Sequence, residues 1–568
     1  MFTTTTDFNN KMKQPLRPSL KVQIEYGQID PDARDTAAVT AKTSEMAFSN
    51  SAQVINDHSI EENIKVMTLE QNETFLDGSF VFVPVSTITD CKVGFRPDFL
   101  SDADGNFSSY PYIQITTTDN INAIGISLVF SKKLKQYAVD FDVVIGNITH
   151  SITNNSLIEW QSDFEVNETN VVKIIFKKWC KAFTRAKLTQ VNFGIYTIFT
   201  NDNLTALKLT DKFNPISTQL SEGSVDFTFV NVGKEYNPMN LSSRRKFIVE
   251  RQPIVTSVGY DDEMFQVGYH ELSGKPTITQ RTVELTGSTL LSKLDVEIDA
   301  TLYQAKTLYQ IAQSLFAAAG ITKYSIDATL KNYTVTTVID GTAREALTSL
   351  CIAACKQYWQ AGDTVYIGVK SATSSNFEIT SNIEQNPTIT VDDVIQSITV
   401  TYKTYALGTT SEQLTTYTPT ENGTFVLSVS YATGITVTGG TLVSSTLNSA
   451  TVTGTANTQI TVSGIKLVEN ELTASYTNSN VDDGSTIKVT DNQFISTATQ
   501  ANTVINWLLA YYANTQIITS KWRQNPALQI GDVIGIATDF GTHNIMIEEN
   551  TLEMSAGGLS GSTKGRVI

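Results

Sequence analysis

Four histidines (His58, His150, His270 and His543) and four cysteines (Cys91, Cys180, Cys351 and Cys355) are the side chains from which a nucleophile or metal centre would be drawn. No two of the histidines are neighbours, and the patterns HExxH, GxSxG and the P-loop are missing. A Cys/His peptidase would need one of the thiols joined to one of the imidazoles through the fold alone. Cys351 and Cys355 stand one helical turn apart, a spacing compatible with a metal pair. They belong to the apolar stretch Leu350 to Ala354, with no CxxC and no nearby His, and read as small buried hydrophobes. Asp261-Asp262-Glu263 and Glu548-Glu549 are carboxylate groupings that a glycosidase would use, but acidic turns have the same composition. Asp102, Asp104 and Asn106 alternate around Gly105 and offer oxygens to calcium. The glycine position and the distal glutamate of an EF-hand are absent, which favours a polar turn. Trp160 and Trp179 would stack on a sugar ring if exposed; core or domain-interface positions are the competing reading. The expectation is no catalytic, cofactor-binding or metal-ligating residue and no cofactor.

The chain of 568 residues is long enough for several domains, and 41% hydrophobic with 9% aromatic residues describes globular rather than disordered protein. A formal charge of −16 argues against a general nucleic-acid-binding surface, since phosphates need clustered Lys and Arg. The charge suits a solvated acidic surface, or a negatively charged channel wall along which DNA slides without sticking. Four scattered cysteines do not make a disulfide framework in a chain of this length. The start, Met1-Phe2-Thr3-Thr4, has no basic and apolar regions of a signal peptide, and no apolar run approaches the ~18 residues of a spanning helix. Synthesis and folding in the cytoplasm are expected.

The elements that would position any site are mostly strands. The exception is a compact helix, strand, helix, strand unit. Leu308, Ile311, Ala312, Leu315, Phe316 and Ala319 form the apolar stripe of a helix that Gly320 would end. A strand-like segment follows, then Thr342-Ala343-Arg344-Glu345 reads as a capping box, with Leu347, Leu350, Cys351 and Ala354 on one helix face. Gly362 to Val369 is a turn entering a strand. Before this unit, Ala123–Phe130, Tyr137–Ile145 and Val171–Phe176 predict an antiparallel sandwich. Val225–Val230 alternates, and further strands are expected at Lys246–Glu250, Phe265–Tyr269 and Thr277–Leu285. After the unit, Val394–Tyr402 alternates cleanly. From about 408 to 475 the chain is rich in Thr, Ser, Gly and Val, and persisting alternation favours a small β-domain over a flexible linker. A last helix is expected at about 500 to 513, with Val504, Trp507, Leu508, Tyr511 and Tyr512 on one face.

Several short patterns carry a resemblance. Met67-Thr68-Leu69-Glu70-Gln71-Asn72 followed by Phe75-Leu76-Asp77-Gly78-Ser79 is similar to a segment near the start of tail proteins from phages of Gram-positive bacteria. Ala186 to Gly194 resembles the last strand of jelly-roll modules in carbohydrate-binding and tail proteins. The most specific are Leu528-Gln529-Ile530-Gly531-Asp532-Val533-Ile534 and the terminal Gly557-Gly558-Leu559-Ser560-Gly561-Ser562-Thr563-Lys564-Gly565-Arg566. Together with the helix-bearing unit, they resemble the hub proteins of phage tail tips and baseplates. That resemblance implies a mainly β chain with a small α+β unit, two hub-type β-barrels, an N-terminal β-sandwich and an inserted β-domain. The implied bounds are 1–85 for an N-terminal β-rich attachment region, 86–196 for the sandwich and 197–288 for the first barrel. They continue with 289–380 for the α+β domain, 381–407 with 476–568 for the second barrel, and 408–475 for the insertion.

The resemblance further implies a homotrimer whose six barrels match a sixfold tail tube. Its expected neighbours are tail-tube or distal tail proteins and baseplate or fibre proteins, with DNA only passing through the lumen. The protein would be assembled in the bacterial cytoplasm and located in the virion. Gly557, Gly558, Leu559, Gly561, Lys564, Gly565 and Arg566 are candidates for a subunit or domain junction, because glycine permits tight turns and close backbone approach. Some relatives carry a lytic domain after the hub, and the sequence ends at Ile568 without one, so no enzymatic activity is expected. The rival reading is a host-surface glycan-binding adhesin whose 90–196 and 408–475 domains grip wall glycan, with Trp160 and Trp179 as candidate contacts; a cryptic wall hydrolase is a third.

Overall fold

The computed structural model describes the chain except residues 1, 13, 15–19, 56–59, 69, 71–76, 79, 81–90, 219–220, 241–242, 261–262, 371–372, 380–382 and 556–557. The fold is mainly β, as the alternation predicts. Its frame is a sheet of 14 strands. From one end its strands run Gly194–Thr200, Lys21–Ile29, Pro253–Tyr260, Glu263–Leu272, Thr282–Ser288, Ser224–Val230 and Leu204–Lys212. The path continues through Gly541–Ser555, Gly558–Val567, Gln516–Trp522 and Ile383–Val391. Asp532–Thr538 pairs with Gly541–Ser555 and, in parallel, with Thr373–Ile379. Ser224–Val230 alternates buried Val225, Phe227 and Phe229 with outward residues, the pattern of a strand with one face on a core.

Residues 95 to 193 contribute most of two further sheets. One runs Ala38–Lys42, Tyr112–Thr116, Val171–Trp179, Ala138–Ile145 and Ile148–Ile152; the other runs Glu159–Ser162, Ile126–Phe130 and Leu188–Asn192. They share a core of Phe95, Phe130, Phe141, Phe176, Trp160 and Trp179.

The α+β unit follows its sequence signals closely. The helix Leu308–Ala318 buries Leu308, Ile311, Ala312, Leu315 and Phe316, and Gly320 follows at φ +65°. Thr307 and Gln310 cap it reciprocally, a second capping box in the sequence. The capping box Thr342/Glu345 opens the helix Ala343–Ala353 as expected. Gly362, at φ +58°, turns Gln357–Ala361 into Thr364–Gly368. Tyr324–Ile326 lies parallel to Thr364–Gly368, and Glu297–Thr307 pairs with Thr334–Thr342. The last helix is Ala498–Tyr512, with Val504 and Leu508 buried and Trp507, Tyr511 and Tyr512 partly covered.

Two expectations need correcting. Lys246–Glu250 is not a strand: Arg244–Phe247 is a 3-10 turn, because the Ser243 hydroxyl accepts the Arg245 N–H at 3.2 Å and starts a helical turn. The alternating Val394–Tyr402 does not join the C-terminal strands. It begins the strand Ile395–Tyr417, which pairs with Ile460–Thr477 and Ser485–Asn492, and its Ile398, Val400 and Tyr402 pack on the helices. The ladder from Ser397–Thr477 to Tyr417–Ile460 runs unbroken in direction across residue 408, with two register shifts. Beyond it, Gly423–Ser428, Ser449–Gly454 and Gly440–Ser445 form a three-stranded sheet. Ordered strands with a buried Val429, Ala450, Val452, Ile460 and Val462 replace the flexible-linker alternative.

Thr342→Ala removes the side-chain acceptor for the Glu345 N–H. It is expected to lower stability by about 1 kcal/mol, read as a lower thermal or denaturant midpoint of the full chain.

Candidate functional site

The C-terminal pattern lies in the strand Gly558–Val567, which pairs with Gly541–Ser555 on one side and Gln516–Trp522 on the other. Gly561 and Gly565 hold this central strand close to its neighbour. A Cβ at Gly561 would lie 1.9 Å from the Thr551 carbonyl oxygen, and one at Gly565 would lie 2.0 Å from that of Met546. Gly558 takes φ +112°, which only glycine adopts without strain. Gly557 lies outside the described residues. Leu559 packs at the margin of the first-half core, and the Lys564 side chain is exposed.

Arg566 ties several elements together. Its Nη1 donates to the Asn514 carbonyl and its Nη2 to Asp392 Oδ2, both at 2.6 Å. The guanidinium lies 4.5 Å from the Tyr511 ring centre, and Tyr511 in turn donates to Glu548 Oε1 at 2.9 Å. These contacts of Arg566 connect the last helix, the C-terminal strand and the segment at Asp392. Burial raises the Glu548 carboxyl above the usual range. Glu548 sits at the register shift between Ile547 and Glu549 and points to Tyr511, so the Glu548-Glu549 pair does not act as two converging carboxylates.

The other candidates separate. Trp160 is 8% exposed and meets Phe141 edge to face; Trp179 is 1% exposed and donates from Nε1 to Gln136 Oε1 at 3.0 Å. Neither ring presents a face to a sugar, so the glycan-stacking role is corrected to a core role. Asp102 Oδ1 accepts from the Asp104 and Asn106 N–H groups at 2.9 and 2.8 Å. These bonds make it the capped polar turn and hold its carboxyl below the ordinary range, the Asn106 bond foremost. Among the described residues, no three His, Cys, Asp or Glu side chains cluster as metal ligands. Burial pushes the Cys355 thiol up to about 11 and Cys351 higher still. His150 stacks on Phe164 at 4.0 Å. His58, Asp261 and Asp262 lie outside the described residues. Glu263 instead anchors the N-terminus by accepting the Thr5 N–H at 2.8 Å.

Two clusters escaped sequence reasoning. Glu70, from the early pattern, and Lys187, from the Ala186–Gly194 pattern, meet in the interior: Lys187 Nζ donates to Glu70 Oε1 and Gln136 Oε1, each at 2.8 Å. Arg185 and Arg96 approach Glu70 Oε2 at 3.6 and 4.0 Å, and Arg96 also pairs with Glu62 at 3.3 Å. Leu69, Gln71, Asn72, Phe75, Leu76 and Ser79 of the early pattern are outside the described residues. The second cluster joins Asp211, His270, Thr289, Gln360 and Lys370 around a small cavity between the first half of the sheet, the α+β unit and the C-terminal half. Burial pushes Asp211 up to about 7 against the pull of Lys370, and burial pushes Lys370 down to about 8 against Asp532 and Asp211. A cluster of this kind has no local signature, because its members are separated by whole domains of sequence.

Glu70→Ala would leave buried cations uncompensated and is expected to cost on the order of 3–5 kcal/mol, measured by denaturation of the full chain. The folded state holds the Asp211 proton more tightly than the unfolded chain. This group's contribution to stability is therefore present at low pH and lost as pH rises from about 4 to about 7. In Asp211→Asn that loss disappears, so the midpoint difference, variant minus wild type, should rise across this window.

No family model matches the chain, and no curated protein matches it. Among solved structures it is similar to a 43 kDa tail protein of prophage MuSo2 from Shewanella oneidensis, at 10% identity and a TM-score of 0.39, over 76% of this chain and 98% of that one. A tail protein from Neisseria meningitidis MC58 gives 12% identity and 0.39, over 76% of this chain and 97% of that one. The prophage tail protein gp18 from Listeria monocytogenes EGD-e gives 8% and 0.36, over 65% and 91%.

Proposed function

We propose that the chain is a structural component of a phage tail tip or baseplate, a trimeric hub that matches a sixfold tube and anchors neighbouring tail proteins. In this reading the two parts of the 14-stranded sheet are the hub barrels, the sheets of residues 95 to 193 are a β-sandwich, and the strands between residues 408 and 475 are an inserted domain. The N-terminal segment serves attachment. The protein resides in the virion, contacts DNA only in the lumen, and its net charge of −16 keeps a passing phosphate backbone from sticking.

The observation that carries the reading is the continuous sheet with distinct ends. Among the described residues the end strand Ile383–Val391 pairs only with Gln516–Trp522, and it exposes Ile389 (40%), Val391 (66%) and, just beyond, Val394 (53%). The opposite end strand, Gly194–Thr200, exposes Ile198, while the Gln161 side chain covers the backbone of Tyr196 at 3.0 and 3.1 Å. Unlike ends on one sheet suit a heterologous, head-to-tail contact, which closes into a ring when the rotation allows it. The terminal pattern supports this reading, since its Gly561 and Gly565 lie in a central strand of the same sheet. The adhesin reading loses its named contacts, because both tryptophans are interior.

The native mass of the full chain across a concentration range tests this. A closed trimer near three times 62.3 kDa is expected. Ile389→Lys together with Val391→Lys should shift it to monomer with the far-UV circular dichroism spectrum unchanged. A wild-type chain that stays monomeric at every concentration would count against a self-assembling hub.

A further inference from the structure

The cavity between the three parts of the chain has a volume of about 50 Å³. His270, on the strand Glu263–Leu272, lines it at 1% exposure. Neither Nδ1 nor Nε2 of His270 has a hydrogen-bond partner among the described residues. Thr289 Oγ1, also on the cavity wall and 6% exposed, has none either. Burial pushes the imidazole down to about 3, so at neutral pH it carries one N–H donor and one lone pair.

The chain makes room for this ring. A Cβ at Gly268 would lie 2.7 Å from His270 Cε1 and 3.2 Å from Nδ1, and one at Gly287 would lie 3.1 Å from His270 Cβ. Gly223 does the same opposite: its Cβ would lie 3.0 Å from Thr289 Cγ2 and 3.3 Å from Asp211 Oδ1. Three glycines thus seat an imidazole, a hydroxyl-bearing side chain and a carboxyl group around one small space.

Each buried donor or acceptor left unmade costs about 1–3 kcal/mol. A guest that both donates and accepts removes that cost, and each water needs only about 10–15 Å³ of such space. A cation fits poorly, since His270 is the one nitrogen ligand lining the space and the Lys370 ammonium shares it. We propose that this cavity is a built hydration site, in which ordered waters bridge His270 and Thr289 to Asp211 and so join the first half of the sheet, the α+β unit and the C-terminal half.

Water-oxygen magnetic relaxation dispersion on the full chain counts long-lived waters. Comparing wild type with His270→Phe and with Thr289→Val reads this site by difference. The expected result is a loss of at least one long-lived water in each variant, with a lower thermal midpoint. An unchanged count overturns the proposal. So does a His270→Phe chain as stable as wild type or more so, because replacing an unpaired imidazole by hydrocarbon would relieve a penalty instead of removing bonds. If His270→Phe fails to fold, the near-isosteric Thr289→Val decides the matter alone by the same count.

Discussion

The ladder between Leu204–Lys212 and Gly541–Ser555 is the contact on which the architecture depends. Its register, from Leu207 opposite Met554 to Lys212 opposite Glu549, is what makes one sheet of the early and late parts of the chain. Backbone N–H and C=O groups on a buried strand must be paired, and here the partner comes from the far end of the chain. Leu207, Leu209 and Leu552 then share one core, and Phe213 shares another with Ile545 and Ile547. Without that ladder each half would present an open edge and an uncovered apolar face.

Charge is used inside the molecule for orientation. Lys187, Glu70, Arg96 and Arg185 occupy an interior where desolvation is costly, so their geometry admits few alternatives. The same logic operates at Arg566, whose two amino groups and flat face engage a carbonyl, a carboxylate and an aromatic ring together. Both arrangements fix how sheets meet one another. The hydrated cavity proposed around His270 belongs to the same scheme, since it too sits where separate parts of the chain converge.

The long ribbon of Ile395–Tyr417 and Ile460–Thr477 carries the Thr- and Ser-rich strands away from the helices without cutting them loose. Tyr431 donates to Asp340 Oδ2 at 2.9 Å, and Leu447 and Leu467 pack with Ala300 and Val338 on the two-stranded sheet of the α+β unit. The module is therefore held in place at its base, and its outer face exposes Val426 and Val443. In the proposed hub this gives an oriented projection towards neighbouring tail components.

What the sequence determined alone is local. Apolar periodicity and capping residues specify the helices Leu308–Ala318 and Ala343–Ala353 within a few residues, because stripe and cap interact over one or two turns. Alternation likewise marks Ser224–Val230 and Val171–Trp179 as strands. Strand partners were not legible. Lys21–Ile29 lies between Gly194–Thr200 and Pro253–Tyr260, and Ile395–Tyr417 leaves the C-terminal strands for the helices, choices made by which faces can be buried together. The interior place of Trp160 and Trp179, the meeting of Glu70 with Lys187 and the polar wall around His270 were likewise decided only in three dimensions. A side chain's type states what it can bond to, but burial and long-range pairing decide what it meets, and those depend on the whole chain closing on itself.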